Sequence, residues 1–299
     1  MHDVEIQIAT GKSRFEKQWK NMSMSWVDFL DRLKETYKTR ETMDEYLKMP
    51  KKKQDEIKDI GGFVGGTLKD GRRLDGNVLS RSLITLDVDY APDDLWDDID
   101  MLYGNACCLY STHKHRKGNA RYRLIIPLAK SVGPEEYEAI ARKIAEDINI
   151  DYFDDTTFQA SRLMYWPSTP IDGDYVFHVL DAPILDPQTI LDSYQDWHDI
   201  SFWPMSSRVT EIKKKAAKKQ GDPLEKDGLI GAFCRTYDIH AAIETFLSDV
   251  YERCKGNGRY TYIKGSTAGG LVTYNDRFAY SNHATDPCSM QLCNAFDLV

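Results

Sequence analysis

The sequence predicts an α+β fold, and three observations carry it. Short runs of strand-forming residues stand at 83–86 (LITL), 107–111 (CCLYS) and 122–128 (YRLIIPL). Residues 134–148 carry a strong helical pattern, yet helices do not follow every strand. The polar stretch 112–121 (THKHRKGNAR) between two of the runs suits a hairpin. Loose alternation with hairpins favours α+β over a strictly parallel sheet.

Each element has a local reason. Ser25 caps a helix, with Asp28 three residues on and Trp26, Phe29, Leu30, Leu33 and Tyr37 at helical spacing. A second short helix over 41–49 stops at Pro50, and the charged run 51–56 (KKKQDE) reads as a solvated helix face. The glycines of 61–66 (GGFVGG) bracket Phe63 and Val64, as in a strand with bulges or a closely approached backbone, and 70–73 (DGRR) reads as a turn. Pro134 opens the helix whose apolar face holds Tyr137, Ile140, Ala141, Ile144 and Ile148. Residues 162–168 (RLMYWPS) and 175–180 resume strand character. Composition then changes near 205. The basic stretch 211–223 is taken as a linker, dividing a domain over 1–210 from a small helical and β module over 224–299. The last residues, NAFDLV, carry no stop signal, so the natural protein is expected to continue.

The chain has 299 residues, 41% hydrophobic and 29% charged, which suits one large domain with an appendage or two domains. It contains no apolar run of about 18 residues, so no membrane span is expected. The first residues lack the basic start and apolar stretch of a secretory signal, and the six cysteines are scattered without a CxxC pair. A reduced, cytoplasmic setting is expected. His283, Cys288 and Cys293 are zinc-ligand types at irregular spacing with no obvious fourth ligand. The formal net charge of −8 disfavours a surface that grips nucleic acid everywhere, but it allows a local basic groove.

Three constellations carry chemistry. Asp87 and Asp89 are alternate residues at a strand end, so they share one face about 7 Å apart. Unpaired, they repel by about 2 kcal/mol at an effective dielectric near 20, and a divalent cation turns that into attraction. Two solvated aspartates at a strand end would be the plain alternative. Ala91 and Pro92 rule out a calcium loop, and Asp93, Asp94, Asp97, Asp98 and Asp100 read as a solvated helix face. The second constellation is Ser111-Thr112-His113, followed by Lys114, His115, Arg116, Lys117, Arg121 and Arg123. Small hydroxyls, histidine and cations at a strand end suit a phosphate or triphosphate. An exposed basic hairpin tip is the alternative. The third, 151–168, offers Asp151, Asp154 and Asp155 ahead of a strand containing Arg162. The Gly11-Lys12-Ser13 triplet lacks the earlier glycine of a phosphate-binding loop, though Lys12 and Arg14 remain useful cations.

In this order the three resemble the archaeo-eukaryotic primase superfamily. The likeness is specifically to primase-polymerase parts of phage and mobile-element replication proteins with a virulence-associated-E-type helicase downstream. LITLDVDYA looks like the family's acid-x-acid motif, STH like its Ser-x-His motif, and DDTTFQASRLMYWPS like its third region. The stretch from Arg259 to Val299 is similar to the module linking primase to helicase. The resemblance implies a two-lobed primase fold, one lobe RNA-recognition-motif-like. It implies two-metal nucleotidyl transfer on a single-stranded DNA template, with two Mg²⁺ or Mn²⁺ ions, NTP or dNTP substrates and a bacterial host cytoplasm. Asp87, Asp89 and a third acid would hold the ions, with Asp155 chosen over Asp154 and Asp151. Ser111 and His113 would bind the nucleotide's phosphates, with Lys114, Arg121, Arg123 and Arg162 as supporting contacts. A non-catalytic replication-initiator or origin-binding fragment is the alternative, and a metal-dependent sugar-nucleotide transferase a more distant one.

Overall fold

The computed structural model describes residues 1–209, 216, 218–254 and 258–299, and the chain divides into two units, Met1–Leu191 and Asp192–Val299. In the first unit, Glu5–Gly11 (β1) pairs antiparallel with Lys20–Ser25 (β2). Ser25 then caps Trp26–Leu33 (α1), accepting from the Asp28 N–H as its spacing predicts, and Trp26, Phe29, Leu30 and Leu33 are buried. Tyr37–Lys38 (β3) precedes Met43–Lys48 (α2), where Thr42 and Glu45 close a reciprocal capping box. Lys51–Ile57 (α3) follows.

Gly62–Val64 (β4) and Gly66–Leu68 (β5) occupy the glycine-rich stretch. A Cβ on Gly66 would lie 1.8 Å from the Ser80 carbonyl oxygen, so only glycine lets β5 close on the next strand. That strand, Val78–Val88 (β6), is much longer than its apolar part. Just before the apolar part, Arg81 and Ser82 are polar yet buried. Ser82 Oγ donates to Gln7 O and accepts from Gln7 N, while Arg81 donates to Ala160 O, Leu83 O and Thr85 Oγ1. Hydrophobic patterning does not register a strand whose inward residues are hydrogen-bonded polar groups.

Leu95–Leu102 (α4), Cys107–Ser111 (β7), Tyr122–Val132 (β8) and Pro134–Ile148 (α5) come next. Helix α5 packs on β6, with Tyr137 donating to the Thr85 carbonyl, and carries a buried Glu138–Arg142 pair at 2.8 Å. The strand expected over 162–168 is reduced to Met164–Tyr165 (β9) and Ser168–Thr169 (β10), because Pro167 cannot donate to a ladder. Phe177–Leu180 (β11) and Pro187–Leu191 (α6) close the unit.

The strands form one sheet ordered β2-β1-β4-β9 and an antiparallel five-stranded sheet ordered β11-β7-β8-β6-β5. The tiny parallel pair β10-β3 stands beside them. Ile6, Ile8, Phe63 and Met164 of the first sheet, Leu83, Cys108, Tyr110 and Ile125 of the second, and the apolar face of α1 make one core. The α+β expectation is met.

In the second unit, Gly228–Thr236 (α7) and Ile239–Phe246 (α8) precede a five-stranded antiparallel meander. Its strands are Tyr251–Arg253 (β12), Arg259–Tyr262 (β13), Leu271–Tyr274 (β14), Phe278–Ser281 (β15) and Leu292–Asn294 (β16). The short helix Ala295–Leu298 (α9) ends the chain. The linker expected over 211–223 falls in part on 211–215 and 217, which lie outside the described residues. His283 offers little to a zinc ion: Nε2 accepts from the Tyr262 and Gly270 N–H groups, and Nδ1 bonds Thr267 Oγ1 at 2.8 Å. No helix among the described residues is long and apolar enough to cross a membrane.

Candidate functional site

The site is a cavity of about 600 Å³ in the first unit, within the roughly 300–1,000 Å³ typical of ligand pockets. Eight basic side chains and four aspartates line it, so a locally positive cavity sits in a chain of net charge −8. The local basic groove that composition permitted is present.

Asp87 faces Arg123 across the β6–β8 ladder, and Arg123 faces Tyr110 across β8–β7. Cross-strand neighbours share a face. Arg123 Nε donates to Asp87 Oδ1 at 2.7 Å and Nη1 to the Tyr165 carbonyl at 2.8 Å. Burial opposes the Arg123 charge, but the Asp87 carboxylate and Tyr110 more than offset it, and its pKa is raised. Arg162 Nε stands 3.9 Å from Asp87 Oδ2. Just beyond the strand, Asp89 Oδ1 accepts from Arg121 Nη1 at 2.8 Å, while Arg121 Nε is buried without a hydrogen-bond partner. The charge conflict of the acid pair is therefore met by three arginines, Arg123 and Arg162 at Asp87 and Arg121 at Asp89.

The backbone decides which of Asp151, Asp154 and Asp155 reaches the cavity. The segment after α5 runs alongside the end of β6: the Asp89 and Tyr90 N–H groups both donate to Tyr152 O, and Val88 bridges Phe153. The Asp154 N–H then donates to the Asp87 carbonyl at 3.0 Å, and the Asp87 N–H donates to Thr157 Oγ1 at 2.8 Å. This register brings Asp154 to the cavity wall beside Asp87 and Asp89. Asp155, chosen from sequence, is instead buried and off the wall, and Asp151 is off the wall too.

The Ser-Thr-His stretch divides similarly. Ser111 is fully buried and off the wall, its N–H donating to Val176 O and its Oγ accepting from Val176 N. Thr112, His113 and Lys114 line the cavity. His113 bonds Ser168 Oγ through Nδ1 at 3.0 Å and Glu41 Oε1 through Nε2 at 3.2 Å, with the Tyr46 ring 4.4 Å away. Burial lowers its pKa, and Glu41 opposes that. The neutral tautomer satisfying both partners carries its proton on Nε2. His115 turns from the cavity to accept from the Arg121 N–H, bracing the loop.

Several lining residues were not foreseen. Lys51, Asp55 and Lys58, from and just after α3, border the cavity, so the helix read as wholly solvated shows one face to it. Arg14, from the rejected Gly-Lys-Ser stretch, joins them, as do Arg73, Tyr165, Trp166 and Ser168. For Lys51 and Lys58 the sequence signal was basic residues within a charged run; Arg14 stood out as a useful cation, and Tyr165, Trp166 and Ser168 lie in the third motif region.

Asp87, Asp89 and Asp154 are hard oxygen donors of the kind Mg²⁺ and Mn²⁺ take. Asp89 Oδ2 and Asp154 Oδ2 make no protein hydrogen bond among the described residues, so oxygens remain for an ion. Among those residues no three carboxylate, histidine or cysteine side chains already converge as a metal cage. The donor chemistry of the three carboxylates fits such an ion.

The family described as the VapE N-terminal domain matches residues 1–206. Among solved structures, the AEP domain (PP-N190) of the cyanophage S-2L primase-polymerase aligns at 15% identity and a TM-score of 0.33, over 62% of this chain and 86% of that one. Primase RepB′ aligns at 12% identity and a TM-score of 0.31, over 84% and 73%. No curated protein matches the chain.

Proposed function

The chain belongs to the VapE N-terminal domain family, and from that premise we propose that its first unit is the catalytic domain of a DNA-dependent primase-polymerase. The observation that carries this reading is the gathering of Asp87, Asp89 and Asp154 in a cavity that eight lysine and arginine side chains also line. That pairing of charges suits a triphosphate and the ions that accompany it. The fold would be the two-lobed archaeo-eukaryotic primase type, with the five-stranded sheet as its RNA-recognition-motif-like lobe. The second unit would be an accessory module ahead of a helicase domain.

Asp87, Asp89 and Asp154 would hold two Mg²⁺ or Mn²⁺ ions. Such ions, when bound, activate a 3′-hydroxyl and neutralise charge on the triphosphate and the leaving pyrophosphate. The remaining work falls to the chain itself. Arg123, locked between Asp87 and the Tyr165 carbonyl, orients the first carboxylate. Arg121 and Arg162 border the cavity with more exposed side chains, and would take phosphate oxygens. His113, held by Glu41 and Ser168, fixes the wall from which Lys114 projects. Catalysis would rest on positioning and charge neutralisation. Single-stranded DNA would supply the template.

The test is primer synthesis on single-stranded template with NTPs or dNTPs and Mg²⁺ or Mn²⁺. Wild type should extend products that the Asp87→Ala/Asp89→Ala variant does not make. Identical products from both, or none from wild type, would sink the reading.

A further inference from the structure

The second unit carries a pair of thiols in contact. Cys293 lies in β16, the edge strand of the meander, opposite Ala279 of β15. Both residues belong to the buried core of this unit, so Cys293 faces inward. Cys288 sits in the connection before β16 and packs against the same core. The Gln291 N–H donates to the Cys288 carbonyl at 3.1 Å, a tight turn that folds the chain back between the two cysteines. The Met290 N–H donates to the Ser281 carbonyl at 2.8 Å, which holds that turn against the end of β15. The Cys288 N–H donates to Asp286 Oδ1 at 2.9 Å. Asp286 is fully buried, and the Tyr251 hydroxyl and Ser281 Oγ donate to it as well. The turn is thus anchored on both sides, and the Cys293 S–H reaches the Cys288 sulfur.

The two thiols are unequal. Cys288 is half-buried, next to the exposed Pro287, whereas Cys293 is buried. The S–H of Cys293 stabilises a thiolate on Cys288 and brings its pKa below the ordinary thiol value, against the effect of burial. The same contact, together with burial, pushes Cys293 well up. An accessible thiolate beside a buried thiol is the arrangement of an attacking and a resolving sulfur. The other cysteines differ. Cys107, Cys108 and Cys234 are buried, and burial pushes Cys107 and Cys108 up. Cys254 Sγ bonds Thr261 Oγ1 at 3.3 Å.

We propose that Cys288 and Cys293 form a redox modification site, closing reversibly to a disulfide by exchange with a low-molecular-weight disulfide such as oxidised glutathione. The Cys288 thiolate attacks one sulfur of that oxidant and its S–S bond breaks. The released thiolate takes up the proton that Cys288 had lost, and Cys288 is left in a mixed disulfide. Cys293 then gives up its proton, attacks the Cys288 sulfur and expels the second small thiolate, which takes that proton. Two protein S–H groups are oxidised, and one small disulfide is reduced to two thiols. With Cys288 blocked, the charge that held Cys293 protonated is gone. Thiols already in contact need little main-chain movement to bond. The closed bond would tie the connection that holds Asp286 to the edge strand of the sheet. It engages none of the residues that line the cavity of the first unit.

The experiment holds the native full chain in glutathione buffers of rising oxidised fraction, quenches with acid, and counts free thiols by maleimide labelling and mass spectrometry. Wild type should pass from six labelled thiols to a form that keeps only the other four. The lost pair should map to the tryptic peptide after Arg277, lighter by two hydrogens than its reduced form. Return to reduced glutathione should restore all six. Cys293→Ser should stop at a mixed disulfide, with one glutathione on Cys288, whereas Cys288→Ser should take up none in the same buffers. The wild-type count needs no variant, so a serine variant that melts early leaves the test standing. Six free thiols at every ratio overturn the proposal, as does a disulfide between any other pair. Glutathione on Cys293 of Cys288→Ser, with Cys288 untouched in Cys293→Ser, overturns the assignment of the attacking sulfur.

Discussion

Between Asp154 and Asp155, one step along the chain separates a carboxylate on the cavity wall from one in the interior. The two should therefore fail differently. Asp154→Asn keeps the Oδ1 that accepts from the Thr156 N–H but removes the charge. It should cut primer synthesis by roughly 100-fold and leave the melting temperature near that of wild type. Asp155→Ala should lower the melting temperature while activity per folded molecule stays within a few-fold. A reversed pattern in paired assays would return the third-acid role to Asp155. His113 gives a second residue-scale expectation. Its pKa is lowered by burial, so at acid pH the unfolded chain binds a proton that the folded chain resists. Stability then falls as pH drops below the ordinary histidine value of about 6.5 and continues to fall until the folded ring itself protonates. Denaturant titrations from pH 7 to 5 should show a steeper loss for wild type than for His113→Asn. Equal slopes would mean that the ring is not held neutral.

At the scale of elements, Thr157 ties the 152–157 segment to β6. Its Oγ1 accepts from the Asp87 N–H and donates to the Thr85 carbonyl. Thr157→Val keeps the shape and loses both bonds, so it should cost about 1–3 kcal/mol of stability and lower activity beyond that loss, because Asp154 moves with the segment. Denaturation and primer synthesis on the same preparation separate the two effects. This tie also marks where sequence reading stops. The α1 cap, β7, the α5 face and the acid pair were legible because each is written in neighbouring residues. Which of Asp154 and Asp155 reaches the cavity wall was not, because it depends on the register of 152–157 against a strand some seventy residues earlier. Nor was the role of α3, since a lysine-rich helix has the same spacing whether one face meets water or a cavity. Ser111 and His113 were found as a motif, but their different fates follow from Val176, Ser168 and Glu41, distant in the chain.

On the scale of the whole molecule, a chain of net charge −8 concentrates positive charge in one cavity. Such a distribution repels nucleic acid from most of the surface and attracts it at the cavity mouth. Binding of a short single-stranded oligonucleotide should weaken by roughly tenfold between 50 and 200 mM salt, as expected when a few phosphates are neutralised. Fluorescence anisotropy across that range is the check. Salt-independent binding would place the contacts away from these cations.

The peptide hydrogen bond from Asp154 to Asp87 has a consequence for how this sequence can diverge. It makes the spacing of Asp87 and Asp154 a property of the main chain, clamped at Tyr152 on one side and Thr157 on the other. Length changes at 149–151 can be absorbed in the turn that follows α5 without altering that spacing. A single inserted residue between Phe153 and Thr157 cannot be absorbed there, since it would slide one anchor past the other. Insertions and deletions among natural variants should therefore stop at Tyr152.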